Sequence, residues 1–356
     1  KRTKIVATIG PSSSSEEELT KLIQAGMNVA RLNFSHGAYD VHGATVEALR
    51  AADAKLGTHT ALLADLQGPK LRIGELVGDE IILVKGERLT IRTGNGMGSG
   101  NEVFTNYEQF AIDVNPGEPV LLDDGKLELK IIETNKRDAV ICEIVHGGSL
   151  KPRKGVNLPS TVISLPCITP KDAQDLEFAL SQDVDWIGLS FVRNASDIHE
   201  LRALIQASGR HARIVAKIEK PEALKDLDGI LEATDAVMVA RGDLGVEIPM
   251  QDVPLVQKDI IRRCMAIGRP VIVATQMMES MIEHAVPTRA EVNDVANAVL
   301  DGADAVMLSA ETSVGAYPVE AVTAMTQILE SMENHDGMYY YERPPLSLED
   351  DRFISD

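Results

Sequence analysis

The hydrophobic positions of this chain change their period twice. A short apolar run, Lys4–Ile9, stops at Gly10-Pro11. Ser15 and Glu18 then stand at capping-box spacing, and Leu19, Leu22, Ile23 and Met27 recur as one face of a helix. A second strand-like run (Asn28–Asn33), a helical stretch from about Ala38 to Leu56 and a third strand (Thr60–Leu66) follow. Between Gln67 and Pro166 the helical period disappears. Short β-branched or alternating runs replace it: Ile81–Val84, Arg88–Arg92, Val120–Leu122, Leu127–Glu133 and Ala139–Val145. Turn residues such as Asn115-Pro116-Gly117, Asp123-Asp124-Gly125 and Gly147-Gly148 separate them. After Pro166 the alternation resumes. Helices Pro170–Gln182, Ala195–Ser208, Pro221–Glu232, Val253–Ile267 and Thr288–Leu300 each precede a strand, namely Val184–Phe191, Arg213–Ile218, Ala236–Ala240, Pro270–Thr275 and Ala305–Leu308. Helix Pro318–Glu333 closes the series.

Counted across the interruption, this is eight strand–helix units with the third helix delayed. Apolar strands separated by amphipathic helices imply a parallel sheet, and eight units close a (β/α)8 TIM barrel. The expected fold is therefore α/β, with residues 1–68 and 167–340 forming a discontinuous barrel. Residues 69–166 form an all-β domain inserted after strand 3, and residues 341–356 form a linker or the start of a further domain. A doubly wound open sheet is the structural alternative, although no dinucleotide glycine fingerprint follows the first strand.

Composition narrows the function. The 356 residues suit about two domains. With 35 basic and 54 acidic residues the net charge is −19, which argues against a nucleic-acid partner but leaves room for a local cation cluster that binds a phosphorylated small molecule. Cys142, Cys167 and Cys264 form neither a metal spacing nor a redox pair, and read as buried small hydrophobes of a reducing compartment. No apolar run reaches membrane-span length and the first residues do not read as a signal sequence, so the expected location is cytoplasmic. Gly94–Gly100 (GNGMGSG) misses the phosphate-binding glycine pattern and reads as a hairpin loop, and His199-Glu200 lacks the second histidine of a zinc helix.

In a (β/α)8 barrel the active site lies at the C-terminal ends of the strands. Here those ends are Arg31-Leu-Asn33-Phe-Ser35-His36-Gly37, Asp65-Leu-Gln67-Gly68-Pro69-Lys70, Ser190-Phe191, Lys217-Ile-Glu219-Lys220, Arg241-Gly242-Asp243, Thr275-Gln276 and Ser309-Ala-Glu311. In strands 2, 3 and 5 the polar residues alternate with apolar ones and so share the inward face. Any one of them is more often a satisfied structural group; the set converging on one mouth describes a site for an anion and a hard metal. Glu219 and Asp243 suit oxygen ligation of Mg²⁺ or Mn²⁺. Arg31 and Lys217 suit a phosphoryl group, the N–H groups of Gly242 and Asp243 suit a carboxylate, and Thr275 suits orientation or proton relay.

The blocks RLNFSHG (Arg31–Gly37), DLQGPKLR (Asp65–Arg72), KGVNLP (Lys154–Pro159), AKIEK (Ala216–Lys220), MVARGDLGVEIP (Met238–Pro249), ATQMMESM (Ala274–Met281) and MLSAET (Met307–Thr312), in this order, resemble the pyruvate kinase family over residues 1 to about 330. The resemblance implies phosphoryl transfer from phosphoenolpyruvate to ADP, giving pyruvate and ATP, as the last step of glycolysis. It also implies a homotetramer, and an insert that closes over the nucleotide as a lid. Carried across by residue, Arg31 and Lys217 resemble the phosphate-binding pair and Glu219 and Asp243 the divalent-metal ligands. Ser190, Gly242, Asp243 and Thr275 resemble substrate contacts, with Thr275 helping to protonate the enolate and Ser309 and Glu311 behind that proton. Asn33, His36, Arg72 and Lys154 resemble nucleotide contacts, and Asn33, Ser35 and Asp65 the monovalent-cation region. Leu66, Gln67 and Lys70 depart from members that need K⁺ and match the K⁺-independent branch; the Lys70 ammonium stands where a bound K⁺ would supply charge. The resemblance also implies a C-terminal regulatory domain that lies beyond residue 356. A Mg²⁺-dependent lyase or mutase acting on phosphoenolpyruvate or a 2-oxo acid, and a catalytically dead binding paralogue, remain as alternatives.

Overall fold

A computed structural model describes residues 1–335; the expected linker, 341–356, and the end of the expected barrel range, 336–340, lie outside the described residues. Eight strands close into a parallel barrel: Lys4–Thr8, Val29–Asn33, Ala61–Asp65, Trp186–Leu189, Arg213–Ile218, Ala236–Ala240, Val271–Ala274 and Ala305–Leu308. The last pairs with the first, with Ile5 beside Val306. The outward faces of these strands pack with the surrounding helices in one large core that includes Leu19, Leu49, Ile187, Ile230, Ile260 and Met325. The inward face is layered. A separate apolar cluster of Val6, Leu63, Val215, Met238, Ile272 and Met307 fills the barrel's interior. Two residues further along the third and fifth strands, on the same face, stand Asp65 and Lys217. Apolar filling below and charge above is what the alternation in those strands predicts.

Helix starts follow local chemistry. Thr169 and Thr288 each close a full capping box, with Asp172 and Glu291. Ser15 accepts from the Glu18 N–H, but the Glu18 carboxylate pairs with Lys21 at 2.7 Å, so only half of the expected box forms. The helix expected over Pro221–Glu232 is broken into Pro221–Lys225 and Leu227–Ala233. At the break, the Asp226 carboxylate accepts from the Ala195 N–H at 2.8 Å, serving the start of the neighbouring helix.

The insert forms a six-stranded sheet in the spatial order Val156–Asn157, Pro119–Leu122, Leu127–Thr134, Ala139–His146, Arg88–Thr93, Glu102–Thr105, beside a two-stranded pair of Ile81–Leu83 and Gly148–Leu150. It has its own core around Tyr107, Phe110, Leu129 and Ile91. The Gly94–Gly100 stretch is not a hairpin: Arg88–Thr93 and Glu102–Thr105, which it joins, run parallel. Chain entry to the insert is set at Gly68, whose φ of +69° and close approach to Phe191 (2.8 Å from an added Cβ) exclude a side chain. Its N–H donates to Asp172 at 2.9 Å. Near the exit, the Arg193 guanidinium donates to the carbonyls of Ile163 and Leu165.

Candidate active site

Strand alternation drives four charged side chains inward at the barrel mouth, where each finds a partner. Asp65, 1% exposed, lies between two cations. Its Oδ2 accepts from Arg31 Nε at 2.7 Å and lies 2.7 Å from Nη2, while Oδ1 is 3.1 Å from Lys217 Nζ. Lys217 also stands 2.9 Å from Glu219 Oε1 and donates to the Ser190 hydroxyl at 2.7 Å. The Ser190 hydroxyl in turn donates to the Leu66 carbonyl at 2.7 Å. The second oxygen of Glu219 accepts from the Phe191 N–H at 2.7 Å, and Phe191 adopts a left-handed φ of 56°.

Electrostatics follow from this packing. Burial works against the Asp65 charge, but Lys217 and Arg31 hold the carboxyl below its usual range. Burial likewise opposes the Lys217 charge, and Asp65 and Glu219 hold the ammonium above the ordinary lysine value. Burial pushes Glu219 up to about 7, with Lys217 opposing and Asp243 adding repulsion. These two shifts pull the Lys217–Glu219 pair in opposite senses. Lys217 stays charged between two carboxylates within 3.1 Å; the rise of Glu219 comes mainly from burial, with the Asp243 carboxylate adding to it. A hard divalent cation fits that donor set. Asp243 accepts no side-chain hydrogen bond among the described residues, which leaves both its oxygens open to a ligand.

Asp243 reaches this place on an element that the sequence does not announce. Arg241-Gly242-Asp243, read from the sequence only as the end of the sixth strand, opens a short helix, Arg241–Glu247. Its Gly242 N–H donates to the Thr275 hydroxyl at 2.7 Å, and Thr275 donates to the Ala274 carbonyl at 2.6 Å. Thr275 and Gln276 both have left-handed backbones, φ 68° and 53°, a strained arrangement for a β-branched residue. Arg241 braces it: Nη2 donates to the Thr275 carbonyl at 2.7 Å, and the guanidinium pairs with Asp294 at 2.8 Å. Its role is therefore structural support of the rim. After the eighth strand, Glu311 accepts from the N–H groups of Ser309 (2.7 Å) and Met278 (3.3 Å). Burial raises its carboxyl pKa against those bonds, while the Ser309 hydroxyl is buried with no partner among the described residues.

The remaining candidates lie around this centre. Asn33 Oδ1 accepts from the Ser35 N–H at 3.1 Å, so that amide organises its own turn. Burial and the nearby cations Arg72, Lys70 and Arg31 hold the His36 imidazole below its usual pKa. Lys70 has no ion-pair partner among the described residues and lines a cleft between mouth and insert with Asp243, Phe191, Asp124 and Asn157. Arg72 and Lys154 belong to the insert: Arg72 donates to the Arg153 carbonyl at 2.9 Å, and Lys154 pairs with Asp123 at 2.7 Å.

Two further features, a cluster of Lys220, Glu247 and Asn157 and, as a fourth residue, Thr8, carry no assignment from the sequence. Lys220 and Glu247 form a buried ion pair at 2.8 Å, and Asn157 of the insert donates to the same Glu247 oxygen at 2.8 Å, which ties the insert to the helix that bears Asp243. Their only signal is position within the AKIEK, GVEIP and KGVNLP blocks. The fourth residue is Thr8, which ends the first strand and accepts from Arg31; a threonine in a strand gives no functional signal.

Comparison with known proteins identifies the family. A family model described as the pyruvate kinase barrel domain matches residues 1–322. The chain is 47% identical over 335 residues to a pyruvate kinase of Bacillus licheniformis, covering 94% of this chain and 57% of that protein. It is 47% identical over 347 residues to the Mycobacterium tuberculosis pyruvate kinase, covering 98% and 72%. It therefore spans between about half and three quarters of these relatives' length. A solved structure of a pyruvate kinase from Cryptosporidium parvum superposes with a TM-score of 0.90 at 40% identity, over 94% of this chain and 70% of that one.

Proposed function

Since the chain belongs to the pyruvate kinase family, we propose that it transfers the phosphoryl group of phosphoenolpyruvate to ADP. The bond between phosphorus and the enol oxygen breaks, a bond to the terminal phosphate oxygen of ADP forms, and the released enolate takes a proton at its methylene carbon to give pyruvate. The observation that supports this most is the Arg31–Asp65–Lys217–Glu219 chain, two cations held by buried carboxylates at the strand ends. Phosphoryl transfer asks a protein mainly for positioning and for positive charge along the transferring group. Arg31 and Lys217 supply both. Glu219 and Asp243 would hold Mg²⁺ or Mn²⁺, which supplies charge neutralisation at the phosphoryl oxygens. Gly242, Asp243 and Thr275 face the substrate carboxylate in this reading, with Ser190 fixing Lys217. Thr275, with Ser309 and Glu311 behind it, serves the protonation. Asn33, His36, Arg72 and Lys154 hold the nucleotide, and the insert, residues 69–166, acts as the lid. We place the enzyme in the cytoplasm as a homotetramer.

The test is ADP phosphorylation by phosphoenolpyruvate, followed as ATP produced. Activity is expected with Mg²⁺ or Mn²⁺ and none after chelation; pyruvate release without ATP would favour the lyase or mutase reading. The same assay decides the monovalent cation. Asn33, Ser35 and Asp65 line the region where a K⁺ would sit. The Lys70 ammonium already supplies a positive charge beside it, and the Leu66 side chain offers no oxygen. Full activity without K⁺ is therefore expected, with a K⁺ requirement appearing in Lys70→Glu. A strong K⁺ requirement in the unaltered enzyme would refute this assignment.

A further inference from the structure

We propose that Thr8 is a positioning residue for the phosphoryl-binding arginine; the inference rests on the phosphoenolpyruvate reading above. Thr8 ends the first barrel strand, is assigned no contact with substrate, metal or nucleotide, and is 4% exposed. Its hydroxyl oxygen accepts from Arg31 Nη1 at 2.9 Å, while its proton is donated to the Leu308 carbonyl at 2.9 Å. That second bond turns the oxygen's lone pairs toward the guanidinium, so Thr8 acts on Arg31 as an acceptor only. The residue is held from behind as well, because the Thr312 hydroxyl donates to the Thr8 carbonyl at 2.8 Å. A β-branched side chain on a strand has few rotamers available, which adds to the rigidity.

The consequence lies in the geometry of Arg31. A guanidinium has five donors in one plane. Asp65 accepts from Nε and Thr8 from Nη1, so the plane is fixed at two separated points and N–H groups remain on both terminal nitrogens. With Asp65 alone, the group would pivot about a single carboxylate oxygen. Two fixed points orient the remaining donors for a planar, two-pronged grip on a phosphoryl group. Thr8 also joins this grip to the eighth strand through Leu308, next to Ser309, and so fixes the distance between the phosphate arm and the rim that serves the proton.

The experiment compares Thr8→Val, which keeps shape and loses the hydroxyl, with Thr8→Ser, which keeps the hydroxyl. Steady-state kinetics and thermal unfolding are measured on each. For Thr8→Val, KM for phosphoenolpyruvate should rise roughly ten- to a hundredfold, the value of one charge-assisted hydrogen bond, with kcat changed severalfold at most. Thr8→Ser should restore KM to near the unaltered value. Inhibition by pyruvate, which lacks the phosphoryl group, should not change. Unaltered KM in Thr8→Val overturns the proposal. So does an equal loss in both variants, or a parallel weakening of pyruvate, because each marks a general structural effect. Thr8→Ala replaces Thr8→Val if the latter does not fold. Failure of the unaltered enzyme to make ATP would instead defeat the phosphoenolpyruvate reading itself.

Discussion

Lys217→Met is expected to lower kcat by about a thousandfold or more while phosphoenolpyruvate binding stays measurable. The ammonium is the one cation that touches both arms of the site, with Asp65 at 3.1 Å and Glu219 at 2.9 Å. During transfer, negative charge passes along the oxygens of the moving group, and a fixed cation in a water-poor site stabilises that charge without reorganisation. Methionine retains the length and most of the packing but none of the charge. Arg31 still neutralises Asp65, so the fold should persist, whereas Glu219 loses its ion-pair partner and its charge is further disfavoured. Calorimetric binding of phosphoenolpyruvate together with a single-turnover assay separates the two effects. Turnover at even a tenth of the normal rate would show that Lys217 does not act on the transferring group.

The second large effect falls on stability. Asp65→Asn removes the only carboxylate among the described residues that Arg31 and Lys217 share, and both cations are nine-tenths buried or more. Breaking a buried pair from one side leaves an uncompensated charge, and a loss of about 3–5 kcal/mol is expected at pH 7. The sign of the pH dependence is fixed by the direction of the Asp65 shift. Its folded pKa lies below the unfolded value of about 3.9. Its stabilising contribution is therefore present above about pH 4 and is lost as the pH falls through the lower folded value. The gap between the unaltered protein and Asp65→Asn should be widest near neutrality and should narrow below pH 4. Denaturant unfolding at several pH values measures it, and a gap independent of pH would point to altered packing instead of charge.

The barrel was legible because its strands are short apolar runs and its helices carry amphipathic stripes, each a local property of ten or so residues. Arg31, Asp65, Lys217 and Glu219 were legible because alternation alone puts them on the inward face. What escaped depends on partners distant in sequence. The Arg241–Glu247 helix has two glycines and no stripe, and it forms where Thr275 and Arg241 tie the sixth and seventh strand ends together. The break at Asp226 exists because a carboxylate is claimed by a different helix. In the insert, Glu102–Thr105, Gly148–Leu150 and Val156–Asn157 are too short for a period to register, and the parallel pairing around Gly94–Gly100 leaves no trace in composition. Thr8 is the extreme case, since its role is defined by two hydrogen bonds to residues 23 and 300 positions away.

The apolar filling of the barrel, Val6, Leu63, Val215, Met238, Ile272 and Met307, lies under the charged layer like an insulating floor. A low-dielectric base leaves the charges above it no solvent to polarise from below, so their field spreads mainly through the open mouth. An anion approaching a protein of net charge −19 is repelled only weakly at a distance, because salt screens exposed charge beyond about 8 Å. Within that distance it meets Arg31 and Lys217, whose charge Asp65 and Glu219 offset in part, so that a divalent cation on Glu219 and Asp243 would complete the attraction. Ionic strength thus acts on the approach, while the held state, walled off from mobile ions on the barrel side, scarcely responds to it.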